Sequence, residues 1–361
     1  MDSLDLVSSQ KPENYLFIKN GSKNKKLIKC IIISLALLFI LNIYTIYSIF
    51  HLNDKLNESF NKINNINIVE EYIKRQKNFC DNPDRFKNQQ FEELIGLTNF
   101  SFRNVSYQMY VYKKFDTYMS NNIIKTAKYE PVHMSNFLDA LQYYEKKNNL
   151  RPEDIFMLDI GGNLGAYPSF LGKFGYSILT FEASPRNSYI IYKNYCLINK
   201  NSNIIIVNKG LSNEEKICNY YSQVNGIGNG VVLCDENKEI ATASGYNFTK
   251  IFEVRLTKLS NFLPYLSNKN IALIKLDIEG GEGKVIEDAI ELISKYHVPF
   301  VFSEFNPQYL EKQGTNPQKF LKLFAKNGYK ISDKGFLNVS YYINPEEINY
   351  VQNLYFIYKG K

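Results

Sequence analysis

Six acidic side chains stand in or just after short apolar runs. Asp159 interrupts Ile155–Ile160, Glu182 follows Ser177–Phe181, Asp277, Glu279 and Glu282 follow Ile271–Leu276, and Glu304 lies near the end of Pro299–Phe305. Apolar runs of this length read as fully buried strands, and ligands bind beyond the carboxyl ends of such strands in open α/β sheets. A carboxylate at that place has two uses. Ionised, it is acceptor-only and can take both hydroxyls of a ribose. Crowded against other carboxylates, its proton affinity rises, which suits a general base acting on a hydroxyl.

The elements that must position these groups are legible around residues 155–165. The strand runs into Gly161, Gly162 and Gly165, and Tyr167, Phe170, Leu171 and Phe174 follow at helical spacing. A turn without Cβ atoms brings a ligand against bare backbone, and the helix behind it offers unpaired N–H groups. The glycine spacing does not fit the dinucleotide pattern G-x-G-x-x-G, and no Gly-Lys-Ser/Thr completes a phosphate loop. A second glycine cluster, Asn225–Gly230, lacks a preceding strand and a following helix and is not read as a nucleotide loop.

Four stretches occur in order: Asp159-Ile-Gly-Gly-Asn-Leu-Gly165, Phe181-Glu-Ala-Ser-Pro-Arg-Asn187, Lys275-Leu-Asp-Ile-Glu-Gly-Gly-Glu282 and a strand ending Ser303-Glu-Phe-Asn-Pro307. This series resembles the FkbM family of S-adenosylmethionine-dependent methyltransferases over roughly residues 125–360. The family usually has Ala where Gly162 and Gly281 stand, so those loops are expected to be looser. The resemblance implies an α/β class I methyltransferase fold, Rossmann-like, with a seven-stranded mostly parallel sheet and helices on both faces. It implies that Asp159, Gly161, Gly162, Asn163, Gly165 and Glu182 bind S-adenosylmethionine, with Glu182 on the ribose hydroxyls. Asp277 is the expected base and Glu279 the second candidate, while Glu282, Glu304 and His133 are placed toward the substrate. His133 has a purely structural role as its alternative, and Glu282 has stabilisation of the helix start behind it as its own. No metal is assigned, although three carboxylates after one strand could hold a divalent cation through oxygen.

Composition bounds the partners. The net charge of +7 includes +3 within residues 1–29 and is otherwise spread thinly, with no basic block interleaved with aromatics, so no nucleic-acid surface is expected. Cys30–Phe50 is an uncharged run of 21 residues, long enough to span a bilayer. Five lysines precede it between Lys19 and Lys29, which places the N-terminal side in the cytosol. The expectation is a single-pass type II membrane protein with a signal anchor and a lumenal catalytic domain. Its parts are a cytosolic tail 1–29, an anchor 30–50, a stem 51–80, a cap 81–150 and a methyltransferase core 151–361. Leu52, Leu56, Phe60 and Ile63 recur at helical spacing in the stem, suiting a helix that could self-associate. Sequons stand at Asn57, Asn99, Asn104, Asn247 and Asn338, and four cysteines follow the anchor, with Cys218–Cys234 as the expected pair.

Within the cap, Pro131–Tyr144 is expected to be a helix; within the core, residues 211–250 are expected to be an irregular insertion or a substrate lid, and Gly335–Tyr342 a strand. The expected activity is O-methylation of a hydroxyl on a glycan or other small molecule. The alternative is a non-catalytic membrane protein that reuses the fold to bind a glycan or a protein partner.

Overall fold

A computed structural model of the chain describes residues 68–198, 200, 202–223, 226–234, 248–337 and 339–360. The expected anchor Cys30–Phe50, the apolar positions of the stem and the sequons at Asn57, Asn247 and Asn338 lie outside these residues. Among the described residues no helix is long and apolar enough to cross a membrane.

Thirteen strands are present among the described residues. In chain order they are β1 (Ile95–Phe102), β2 (Val105–Tyr112), β3 (Ile155–Ile160), β4 (Ser177–Phe181), β5 (Ile204–Val207), β6 (Gly210–Leu211), β7 (Lys216–Gln223), β8 (Gly230–Leu233), β9 (Phe248–Thr257), β10 (Asn270–Leu276), β11 (Phe300–Phe305), β12 (Tyr329–Ser332) and β13 (Gln352–Tyr358). Seven of them form the central sheet in the order β12-β13-β11-β10-β3-β4-β5. The pairs from β5 through β11 are parallel, and β13 runs antiparallel to both β11 and β12. The chain leaves β3 toward β4 on one side and later returns as β10 on the other. The order therefore reverses at β3, and a crevice opens beyond the carboxyl ends there.

Both faces of the sheet are covered. Along β3, Ile155 and Met157 join the core on one face, and Phe156, Leu158 and Ile160 join the core on the other, as strand alternation requires. The first face carries the helices Pro131–Asn148 and Pro185–Ile198, and Met134, Phe137, Leu138 and Leu141 of the former are buried in it. The second face carries Glu282–Lys295, whose Val285, Ile286, Ala289, Ile290 and Ile293 form the buried stripe expected at helical spacing. The hairpin β1–β2 lies against Pro185–Ile198, where the Asn194 side chain bonds both the N–H and the C=O of Tyr110. Asn99 and Asn104, the two sequons among the described residues, are exposed on this hairpin.

Three sequence expectations are revised. The described residues of 211–250 are not irregular: β6, β9, β7 and β8 form a second, four-stranded sheet. Its alternation is real, with Cys218, Tyr220 and Ser222 buried along β7, but polar residues on both faces hide it from a hydropathy pattern. Among the described residues of Gly335–Tyr342 there is no strand. The strand β12 starts earlier, straight after the left-handed Gly328, and only Ile343 makes a bridge back to Ile331. Finally, residues 68–81 of the stem region are helical and docked. The Gln76 side chain donates to Ile204 C=O at 2.8 Å and accepts from Ile206 N–H at 3.1 Å. An amide side chain thus occupies the open edge of β5, which a neighbouring strand would otherwise need to pair. Cys80 is bonded to Cys196 and Cys218 to Cys234, so the expected pair is present together with a second one.

Candidate active site

The loop after β3 is built by close backbone packing. Gly161 and Gly162 both donate their N–H to Phe181 C=O, at 3.0 and 2.9 Å. Gly161 has φ +88°, and a Cβ there would lie 1.9 Å from the Asp277 carbonyl oxygen. At Gly162 a Cβ would approach Thr180 Oγ1 to 2.3 Å. The expectation of a looser loop at Gly162 is therefore corrected: Thr180 fills the space that an alanine methyl would need.

Glu182 follows β4 directly and is buried. Its Oε2 accepts from Asn163 N–H and its Oε1 from Ser184 N–H, both at 2.8 Å. Each oxygen retains a lone pair, and the carboxylate lines a cleft of about 1010 Å³. Burial raises its pKa to about 7, with the two N–H bonds opposing the shift. Asn163 sits in the left-handed region at φ +49°, and its Nδ2 donates to Asn229 Oδ1 at 3.2 Å. Its own Oδ1 is a buried acceptor with no partner among the described residues. A spare carboxylate acceptor beside an unfilled amide acceptor fits a ligand bearing hydroxyl and amino donors, as S-adenosylmethionine does.

The second half of the cleft lies beyond β10 and β11. Asp277, Glu279, Glu304 and Glu130 line it together with Lys275. Lys275 is a residue the sequence reasoning gave no role, since a lysine inside a strand motif carries no mark of where its ammonium ends. It is buried, and its Nζ donates to Gly161 C=O at 2.9 Å, with Asp277 Oδ2 at 3.3 Å and Asp159 Oδ1 at 3.6 Å. One cation thus joins the glycine loop to the carboxylate after β10. Glu279 is held at φ +58°, a conformation that costs a side-chain-bearing residue on the order of 1–3 kcal/mol and tends to mark functional sites. Burial first, then Asp277, raises the pKa of both Glu279 and Glu304.

Not every expected residue reaches the cleft. Asp159 is fully buried beneath the loop, accepting from Thr180 Oγ1 at 2.9 Å and facing Lys275. It braces the loop from below. Gly165 turns the chain into the helix Ala166–Gly172 at φ +80°, and neither residue is in the cleft wall. Glu282 is also buried; its Oε1 accepts from Ile278 N–H at 2.8 Å and ties the 277–281 loop to the helix start. Burial moves its pKa to about 7. His133 stands behind the wall. Its Nδ1 is 2.5 Å from the Tyr355 hydroxyl, and its Nε2 accepts from Asn353 Nδ2 at 2.9 Å; Asn353, not His133, lines the cleft. Burial lowers the His133 pKa, which favours the neutral imidazole. Among the described residues no group of three or more His, Cys, Asp or Glu side chains is placed to hold a metal ion.

The glycine cluster that was not read as a nucleotide loop nonetheless belongs here. Gly226, Gly228, Asn229 and Gly230 line the cleft, with Gly228 C=O accepting from Asn187 Nδ2 at 2.9 Å. Residues 226–229, ahead of β8, therefore reach over the β3 loop from the inserted sheet.

Comparison with known proteins finds likenesses in sequence and in structure. A protein named Methyltransferase 1 from Beauveria bassiana (strain ARSEF 2860) is 30% identical over 148 residues, 37% of this chain and 58% of that one. The chain thus spans less than two thirds of that relative. Among solved structures, the O-methyltransferase from Bacillus cereus is 13% identical, with 62% of this chain and 80% of that one covered at a TM-score of 0.33. The magnesium protoporphyrin IX methyltransferase from Synechocystis PCC 6803, solved with bound SAM, is 11% identical over 63% and 80% of the two chains at a TM-score of 0.29. Residues 159–331 match the methyltransferase FkbM domain.

Proposed function

We propose that the chain is an S-adenosylmethionine-dependent O-methyltransferase whose acceptor is a hydroxyl of a glycan or other small molecule. One observation carries this reading. The Glu182–Asn163 pair and the carboxylates Asp277 and Glu279 open onto a single cleft at the carboxyl ends of β4 and β10. Bound there, S-adenosylmethionine would supply a methyl group already activated as a sulfonium, so the protein must align the acceptor and take its proton.

Asp277 is the base in this reading. Its side chain is 32% exposed and can meet an acceptor, whereas Asp159 at 1% cannot. Lys275 fixes the Asp277 carboxylate beside Gly161. Glu279 and Glu304 bind protons more tightly than ordinary carboxyls and can donate to acceptor oxygens. The single-pass anchor at Cys30–Phe50 and the lumenal placement remain part of the proposal. The two disulfides support it, because they persist in oxidising compartments.

The test is transfer of labelled methyl from S-adenosylmethionine to a panel of oligosaccharides and small polyols. Asp277→Asn is expected to lower turnover on the order of 10²–10⁴-fold while cofactor binding persists. Full turnover in Asp277→Asn would remove the base assignment, and transfer confined to amine acceptors would remove the hydroxyl.

A further inference from the structure

The mechanism leaves Glu130 without a task, although its placement is costly. It directly precedes the helix Pro131–Asn148 at φ +36°, in the left-handed region, and its side chain does not cap that helix. An acidic residue at a helix start normally turns back onto the first N–H groups. Glu130 instead lines the cleft, where its Oε2 accepts from the Tyr167 hydroxyl at 2.6 Å. Tyr167 lies in the helix that follows the glycine loop, and Lys275 Nζ sits 5.5 Å from the centre of its ring. Glu130 is thus held at the β10 side of the loop, opposite the end that Glu182 occupies.

The charge balance at this end is unfilled. Asp277 disfavours ionisation of Glu130, and burial does so more strongly. The buried cation nearby, Lys275, is already shared among Gly161 C=O, Asp277 and Asp159. A ligand bringing its own ammonium would relieve Glu130. S-adenosylmethionine carries one at the terminus remote from its ribose. With the ribose at Glu182, a ligand lying along the β3 loop extends past Gly161 toward Glu130.

We infer that Glu130, backed by the Tyr167 hydroxyl, receives the ammonium of the cofactor's amino-acid end. This rests on the reading that the cleft binds S-adenosylmethionine. It makes Glu130 a specificity residue that distinguishes amino-acid-bearing nucleosides from simple ones.

The experiment is calorimetric titration of the full chain with S-adenosylmethionine, S-adenosylhomocysteine and 5′-methylthioadenosine, the last lacking the amino-acid end. Wild type, Glu130→Gln and Glu182→Gln are compared, with circular dichroism to establish folding. Glu130→Gln is expected to weaken the first two ligands about tenfold or more, as loss of a charge-assisted hydrogen bond does, and to leave methylthioadenosine unchanged. Glu182→Gln is expected to weaken all three. Equal weakening of methylthioadenosine by Glu130→Gln, or no weakening of any ligand, would overturn the assignment. Should Glu130→Gln not fold, Tyr167→Phe supplies the same comparison with a smaller expected effect. If wild type binds none of the three, the cofactor reading itself fails, and that result is distinct from failure of the Glu130 role.

Discussion

Lys275 is the side chain on which the candidate site turns. It is 3% exposed and stands between Asp159 and Asp277, so removing it leaves two carboxylates facing each other without a cation. Lys275→Met is expected to destabilise the fold by about 3–5 kcal/mol, measured by denaturant unfolding; an unchanged midpoint would show that the pair carries no net stability. Gly162→Ala forces a methyl toward Thr180 and is expected to cost about 1–3 kcal/mol in the same assay. At Glu182 the consequence is for binding. Its pKa near 7 means that the accepting form is gained as pH rises through neutrality. Cofactor affinity should therefore increase from about pH 6 to about pH 8, and Glu182→Gln should abolish that dependence. Glu182, Asn163 and Asp277 line the cleft, where strand ends and glycine spacing put them. Asp159 and Glu282 are buried and do not line it. Spacing locates a carboxylate at a strand end but does not say whether the side chain turns into the cleft or beneath the loop.

Among the elements, β3, β4, β10 and β11 were legible as apolar runs, and Pro131–Asn148 and Glu282–Lys295 as amphipathic stripes. The second sheet was not, because its strands carry polar residues on both faces and the register of β6 and β7 depends on β9, remote from both in sequence. That sheet supplies the Asn229–Asn163 contact over the β3 loop. Asn229→Ala is expected to weaken S-adenosylmethionine binding severalfold by loosening Asn163, without altering the thermal midpoint by more than a few degrees; calorimetry and a melting curve check both parts. The disulfide Cys80–Cys196 closes 116 residues and fixes helix 68–81 to Pro185–Ile198. Replacing both cysteines with serine should cost about 2–5 kcal/mol, and equal stability of the reduced and oxidised chain would contradict this.

At the scale of the molecule, the cleft concentrates buried acids, and this sets how stability depends on pH. Glu182 and Glu282 have folded pKa values near 7, and those of Glu279 and Glu304 are raised as well. A carboxyl whose folded pKa exceeds its unfolded value favours the fold while protonated. That contribution is complete below the ordinary value of about 4.5 and is lost as pH rises through the raised values. The ligand-free protein is therefore expected to melt at lower temperature at about pH 8 than at about pH 5, and a melting point that rises across this interval would contradict the assignment of these groups as buried. The overall architecture was legible because the sheet's central strands are continuous apolar runs; the sheet order came from resemblance, since periodicity carries no record of which strands are neighbours.

The most direct test of the central claim is calorimetric titration of S-adenosylmethionine into the purified full-length chain beside Glu182→Ala. The account predicts saturable binding by the wild type and its loss in the variant, with both proteins folded. Absence of binding by the folded wild type, or undiminished binding by Glu182→Ala, would contradict it.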